Sequence, residues 1–322
     1  MKKKLFITGG SGFVGRQLLA TLVARAVFDI TALVRKPPAE LIRAVDYLVL
    51  PDFAGIDGGY EGLQDADVVI HLASRVHVMN DVETDPLAAY RETNVVHTLN
   101  LARSAAQAGV KRFVFISSVK VNGEGTAPGN AYRESDAVRP LDPYGISKME
   151  AEEGLKIIAA ETGLEVVIIR PVLVYGPGVR ANFESMMKWL HRGVPLPFGS
   201  LDNKRSLVGV GNLVDFISVC IDHLAAANQT FLISDGHDVS TSELLRSLGA
   251  ALGHPARLIP VPSWMLVQGA TLLGKKALSQ RLCGSLQVDI DKARSLLNWR
   301  PILTLEQGLK LTADHFLNEL QR

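Results

Sequence analysis

Tyr144 and Lys148 stand four residues apart in Pro143-Tyr144-Gly145-Ile146-Ser147-Lys148. In a helix that spacing puts both side chains on one face. A phenol with its ordinary pKa near ~10 is a poor proton shuttle at neutral pH. An ammonium one turn away favours phenolate, so the pair predicts acid–base chemistry with Tyr144 as the titrating group. Upstream, Phe115-Ile116-Ser117-Ser118 ends an apolar run. A serine hydroxyl there can hold a reacting oxygen, with Ser118 the first choice and Ser117 the second. A tyrosine and lysine at this spacing also occur as an ordinary surface pair on an amphipathic helix, so the pair needs a context.

The context lies at the start of the chain. Thr8-Gly9-Gly10-Ser11-Gly12-Phe13-Val14-Gly15 follows a short apolar run and precedes a helical pattern. Gly9, Gly12 and Gly15 have the spacing GxxGxxG, a variant of the dinucleotide fingerprint. Glycines serve there for a tight turn, close approach to a pyrophosphate, and close packing of helix on strand. Phe13 and Val14 open the helix whose unpaired N–H groups and positive dipole end face the phosphates. A plain glycine-rich turn would need none of these neighbours. The expected cofactor is therefore a nicotinamide dinucleotide, whose oxidised ring would further favour the Tyr144 phenolate.

Other residues refine that site. His71-Leu72-Ala73 ends an apolar run, and Leu72 and Ala73 should pass beside the cofactor phosphates. Asp52 is placed to meet the adenine, or is simply a turn residue after Pro51. A site for NAD usually has an acid at the end of the second strand, holding the ribose 2′-hydroxyl. This chain has Leu33-Val34-Arg35-Lys36 there. Arg35 can pair with a 2′-phosphate, so the expectation leans to NADP(H) over NAD(H).

These groups need a scaffold. Apolar runs at 5–7, 30–34, 47–50, 67–72, 112–117 and 165–170 read as strands, with helical patterns at 14–26, 88–108 and 145–162. Near-continuous apolar strands separated by helices predict an α/β fold: a Rossmann-type doubly wound parallel sheet. After Pro171 the rhythm changes, with a turn cluster at 175–178, a helix at 183–192 and one more strand at 230–233. The expected division is a dinucleotide-binding domain of residues 1–176 and about 206–236. A smaller, mostly helical substrate lobe takes about 177–205 and 237–322.

Composition excludes several classes. Lys plus Arg number 34 and Asp plus Glu 33, so no general field draws the chain to nucleic acid. Cys220 and Cys283 lie far apart in apolar surroundings, without metal-ligand spacing, and read as buried thiols of a reducing cytoplasm. The start Met1-Lys2-Lys3-Lys4 imitates a secretion leader, but the glycines at 9, 10 and 12 break its apolar run. The apolar stretch 264–274 is too short to span a bilayer.

Taken together, GxxGxxG, His71-Leu72-Ala73, Asn94, Ser118, Tyr144 and Lys148 resemble the extended short-chain dehydrogenase/reductases in order and spacing. Within them the chain resembles the nucleotide-sugar epimerase/dehydratase group over nearly its whole length. The resemblance implies that Tyr144 is the acid/base and that Lys148 holds the nicotinamide ribose and tunes Tyr144. Ser118 would orient the substrate oxygen, and Asn94 would support the three. Pro171, in Arg170-Pro171-Val172-Leu173-Val174-Tyr175-Gly176-Pro177, would line the nicotinamide. Asn182, Arg205 and Arg281 would meet the diphosphate of a UDP-sugar, and a homodimer would form through the helices at 88–108 and 145–162.

Three reactions share such a scaffold. A 4,6-dehydratase needs an acid and a base where this chain has Val119-Lys120, so dehydration is disfavoured. A 4-ketoreductase delivers hydride once and exchanges its cofactor; a 4-epimerase keeps its cofactor through an oxidation and a reduction. Arg35 tilts the expectation toward a reductase, and segments such as Ser74-Arg75-Val76-His77-Val78-Met79-Asn80 resemble bacterial polysaccharide-cluster enzymes, which implies reduction of a UDP-4-keto-6-deoxy-hexosamine. UDP-glucose or UDP-N-acetylglucosamine 4-epimerisation is the alternative. A non-catalytic dinucleotide sensor is more remote, because both Tyr144 and Lys148 are present. Arg75 and His77 have no assigned role.

Overall fold

The computed structural model describes residues 2–38, 40–51, 62–76, 85–127, 129–272, 274, 280 and 282–321. Strands β1 (Lys3–Thr8), β2 (Phe28–Val34), β3 (Val45–Val49), β4 (Val68–His71), β5 (Arg112–Ile116), β6 (Glu165–Pro171) and β9 (Thr230–Ile233) form one sheet. Its order is β3-β2-β1-β4-β5-β6-β9, and every pairing is parallel. Leu5, Phe6, Ile7 and Thr8 of β1 are all buried, as a strand covered on both faces requires. The strand order reverses between β1 and β4, which opens a crevice at their carboxyl ends.

Helices cover the sheet. They are α1 (Phe13–Arg25), α2 (Pro86–Arg91), α3 (His97–Gln107), α4 (Pro143–Thr162), α5 (Ala181–His191), α6 (Val210–Asp222), α7 (Thr241–Ala251), α8 (Ser263–Leu272), α9 (Asp291–Leu297) and α10 (Leu305–Leu320). Leu18, Leu19 and Leu22 of α1 pack with Phe216 and Ile217 of α6 on one face, and Leu101 with Leu155 on the other. The buried Arg112 joins sheet to helix: its guanidinium donates to the carbonyls of Cys220, Ile221 and His223 at the end of α6 and pairs with Glu165 at 2.6 Å. A cation at a helix C-terminus meets both the dipole and the unpaired carbonyls.

A second sheet follows β6, in the order β10 (Asp238–Val239), β8 (Arg205–Gly209), β7 (Leu173–Tyr175). Its hydrophobic cluster joins Tyr175, Phe183, Met187, Leu245, Leu309 and Phe316. The sequence pattern missed this sheet, in which β7 and β10 are only three and two residues long, too short for a period of two to register. One predicted boundary also moves: α4 begins at Pro143 rather than 145. Asp142 caps it by accepting from the Gly145 N–H at 2.7 Å, and Pro143 needs no donor in the first turn. Among the described residues no helix is long and apolar enough to cross a membrane.

Candidate active site

The glycine turn lies at the carboxyl end of β1. Gly9 has φ +73°, and a Cβ there would sit 2.7 Å from the Ala73 nitrogen. A Cβ on Gly15 would lie 2.2 Å from the Gly9 carbonyl oxygen. Only hydrogen fits at either position, so the turn is pressed against both α1 and the end of β4. Gly12 caps α1 without a side-chain hydrogen bond, and the first turn, with Phe13 and Val14, has no acidic residue. The first N–H groups of that helix have no carbonyl to bind within it, so an anion is well received there. The cradle fits a dinucleotide diphosphate.

The end of β4 is tied to the same turn. His71 is buried, with Nδ1 2.6 Å from the Thr8 hydroxyl and Nε2 2.9 Å from that of Thr98. Burial, then the charge of Lys148, lowers its pKa to about 3, so the ring is neutral. The Ala73 N–H donates to Thr8 at 3.2 Å, and Leu72 and Ala73 are half-buried beside the glycines. Arg35 is exposed just beyond β2. Pro171 is buried at the end of β6, paired with Ile233. Asp52, His77 and Arg281 lie outside the described residues.

Tyr144, Lys148 and Ser118 converge at the carboxyl ends of β5 and β6. The hydroxyls of Ser118 and Ser74 both hydrogen-bond the Tyr144 phenol. Ser118 also caps a short turn by accepting from the Lys120 N–H at 3.2 Å. Ser117 faces the other way and donates to Glu152 at 2.5 Å. The Lys148 ammonium donates to the Ile116 carbonyl at 2.9 Å, 4.5 Å above the Phe115 ring and 6.0 Å from the centre of the Tyr144 ring.

The expected acidification of the phenol is reversed in the chain by itself. Burial, then the negative charge of Asp142, pushes Tyr144 up to about 12, and the hydrogen bonds from Ser118 and Ser74 only partly oppose this. Lys148 is itself pushed down to about 7 by burial, with Glu152 opposing. A cation that is itself desolvated, and near half-protonated at neutral pH, contributes less charge than the spacing suggests.

Asn94 sits in a π turn, Glu92–Val96, between α2 and α3. Its amide accepts from the Arg75 N–H at 2.8 Å and from Ser74 at 3.0 Å, and donates to the Arg75 carbonyl and to Ser147, both at 3.0 Å. Asn94 thus fixes the 74–75 backbone against α4, and through it the Ser74 hydroxyl. Single π turns within helices occur frequently at functional sites.

Several site residues were not singled out from sequence. Ser74 could have been found, since it follows His71-Leu72-Ala73 at a strand end on the same edge as Ser118. Tyr90 meets Tyr144 edge-on at 6.1 Å and carries the Arg75 guanidinium 5.4 Å from its ring centre. Arg170 and Glu152, both buried, form a forked pair with contacts of 2.5 and 2.9 Å, and Arg170 also donates to Asn122 at 3.0 Å. An arginine inside the apolar run of β6 implies such a partner. Lys120 pairs with Asp142 and Glu124.

Two of the diphosphate candidates stand on other elements. Asn182 is exposed in the first turn of α5, whose cap is Arg180. Arg205 begins β8 and donates to the Gly284 carbonyl at 3.0 Å. Tyr175, whose hydroxyl donates to the buried Asp235 at 2.8 Å, closes the core of the second sheet. No group of three or more metal-ligating side chains occurs among the described residues.

Residues 5–234 match the model of the NAD dependent epimerase/dehydratase family. A UDP-glucose 4-epimerase of Vibrio cholerae is 47% identical over 100% of this chain and 98% of its own length. An N-acetyl-alpha-D-glucosaminyl-diphospho-ditrans,octacis-undecaprenol 4-epimerase of Escherichia coli O157:H7 is 27% identical over 98% of this chain and 96% of its own. Among solved structures, MoeE5 in complex with UDP-glucose and NAD is 26% identical, with a TM-score of 0.75 over 98% of this chain and 99% of its own. The match spans the glycine turn, the serine at the end of β5 and the tyrosine–lysine pair of α4, and the chain is an enzyme that belongs to the NAD dependent epimerase/dehydratase family.

Proposed function

We propose that this enzyme is a UDP-sugar 4-epimerase, with UDP-glucose as the first substrate to test and NAD as its retained cofactor. The full-length 47% identity to the Vibrio cholerae UDP-glucose 4-epimerase carries this reading. It displaces the sequence-based lean to a single reduction of a 4-keto sugar. The NADP(H) preference drawn from Arg35 gives way with it, since an epimerase takes back the hydride it has removed and has no need of a reductant from outside.

The residues divide the work as follows. Gly9, Gly12, Gly15, Phe13 and Val14 hold the dinucleotide diphosphate, with Leu72, Ala73 and Pro171 along its length. Bound NAD supplies the two-electron exchange at C4, and its oxidised ring brings a positive charge that favours phenolate. Tyr144 takes the proton of the sugar 4-hydroxyl as C4 becomes a ketone, and returns it once the ketone has presented its other face. Ser118 orients that oxygen, and Ser74 shares the phenol with it. Lys148 adds positive charge under the phenol whenever it is protonated. Asn94 positions Ser74, and Asn182, Arg205 and Arg281 take the UDP diphosphate. Because the cycle returns both hydride and proton, it needs no further acid or base, and no carboxylate is offered at Val119-Lys120.

The two-lobe division drawn from sequence remains part of this proposal, as does a homodimer through the helical stretch 88–108 and α4, where Val96 of the π turn and Ile157 of α4 are exposed. The deciding experiment denatures the purified protein, identifies the released dinucleotide, and follows UDP-glucose to UDP-galactose by chromatography. Near-stoichiometric NAD and conversion that is lost in Tyr144→Phe are expected. A protein that instead consumes NADPH with a UDP-4-keto-6-deoxy sugar, and does not interconvert the two hexoses, would overturn the proposal in favour of the reductase.

A further inference from the structure

Helix α8 wears its apolar side chains outward. Ser263–Leu272 contains no Asp, Glu, Lys or Arg, and none of its residues is buried. Trp264 is 60% exposed, Met265 49% and Leu272 89%. With Gln268 and Thr271 these residues recur at helical spacing and share one face, while Leu266, Gly269 and Ala270 are half-buried on the other. A helix on a water-facing surface normally turns its polar residues out. The strip continues upstream through Pro262 and Ile259, both exposed. Exposed apolar surface that is contiguous, rather than scattered, marks a place of contact.

Charge says what kind of contact. Residues 244–288 contain no Asp or Glu, but hold Arg246, Arg257, Lys275, Lys276 and Arg281. The chain as a whole is balanced at 34 basic and 33 acidic residues, so this stretch departs from the rest. Arg246 and Arg257 are exposed and flank the strip. Arg246 donates to the Gly199 carbonyl at 3.2 Å, the Gly199 N–H donates to the Ile259 carbonyl at 2.9 Å, and the Arg257 carbonyl accepts from Leu196 at 2.9 Å. Lys275 and Lys276 follow α8 in the sequence.

We propose that α8 is a peripheral docking face for an anionic lipid bilayer. Ten residues make a helix of about 15 Å, half the thickness of the hydrocarbon core, so α8 lies in the headgroup plane and does not cross. Trp264, Met265 and Leu272 enter the acyl boundary, and the exposed Arg246 and Arg257 meet phosphate headgroups. A protein groove would call for a polar rim of matched charges. Exclusion of every carboxylate over so long a stretch suits a diffuse negative surface, which repels carboxylates wherever they stand.

The test is co-sedimentation of the full chain with vesicles of phosphatidylcholine alone or with roughly a third phosphatidylglycerol. Binding should be at least about tenfold stronger on the anionic vesicles and should weaken with salt. Met265→Glu with Leu272→Glu should abolish it, while UDP-glucose turnover and melting temperature stay unchanged. Arg246→Glu with Arg257→Glu, both outside α8, should weaken it. Equal binding to neutral vesicles, or none to either, would overturn the proposal. So would lipid-free self-association that the Met265/Leu272 variant removes, since a second copy would then be the occupant. The vesicle-binding and melting readouts do not depend on which sugar is epimerised.

Discussion

Replacing Glu152 by Gln keeps the side chain's shape but removes the charge that balances Arg170. Glu152 is 1% exposed and Arg170 2%, so the guanidinium would stay buried without its counter-ion. Breaking such a pair from one side costs about 3–5 kcal/mol. Unfolding entropy of about 2.1 cal/mol/K per residue over 322 residues gives about 0.7 kcal/mol/K. The melting temperature of Glu152→Gln should therefore fall by about 4–7 °C in calorimetry. Met at both 152 and 170 removes both charges at similar volume and should recover more than half of the loss, since what destabilises is the uncompensated charge and not the missing bond.

The same substitution has a second consequence one helical turn away. Burial sets Lys148 near 7, and the Glu152 carboxylate is the charge that raises it. Without that carboxylate the ammonium should lose its proton at lower pH, so the limb of the kcat profile that reports Lys148 should move down. A merely structural role for Glu152 would lower stability and leave that limb in place. Glu152→Gln melting within about 1 °C of the parent, or a double Met variant no better than the single, would refute the reasoning.

Three further outcomes follow from the same geometry. Ser74→Ala removes one of the two hydrogen bonds that lower the Tyr144 pKa, so kcat should fall and its Tyr144 limb should move to higher pH, with the melting temperature nearly unchanged. His71 has a folded pKa near 3 against an ordinary 6.5. The unfolded chain therefore takes the proton first on acidification: the stability linked to this ring is complete above 6.5 and drains away as pH falls toward 3. His71→Gln, which can still bridge Thr8 and Thr98, should flatten that slope in denaturant titrations from pH 7 to 4. Gly15→Ala puts a Cβ 2.2 Å from the Gly9 carbonyl, so the turn must open, and the protein should purify with far less than stoichiometric dinucleotide.

The sheet and the dinucleotide turn were legible because their signals are local. Apolar runs at 5–7, 30–34 and 165–170 lie inside β1, β2 and β6, and the glycines follow β1 at the strand–helix junction where the proposal seats the diphosphate. Two kinds of information were not local. Tyr144 and Lys148 share a helix face as their spacing requires, yet their proton affinities follow from burial under neighbours that sequence distance hides: Asp142 beside the phenol, Phe115 beneath the ammonium. The choice between Ser117 and Ser118 was likewise made by a partner, Glu152, from another element. The tilt toward reduction rested on an acid missing near Arg35, an indirect sign that full-length kinship outweighs.

The site's logic is that of a phenol proton set between neutral hydroxyls above a buried amine. A phenol near 12 in the protein matrix holds its proton securely at neutral pH, and so it does no chemistry until positive charge arrives beside it. The two serines come from the ends of two neighbouring strands, β4 and β5, and Asn94 locks the first of them through a π turn that a regular helix could not supply. They lower the cost of phenolate without adding a carboxylate that would repel it. Asp142, whose charge raises the phenol's pKa, has its field offset by Lys120. Lys120→Met should therefore expose Tyr144 to the full charge of Asp142, raise the pH at which turnover reaches its plateau, and leave dinucleotide content unchanged. If the plateau stays where it is, the carboxylate is too well screened to matter, and Ser74 and Ser118 set the phenol by themselves.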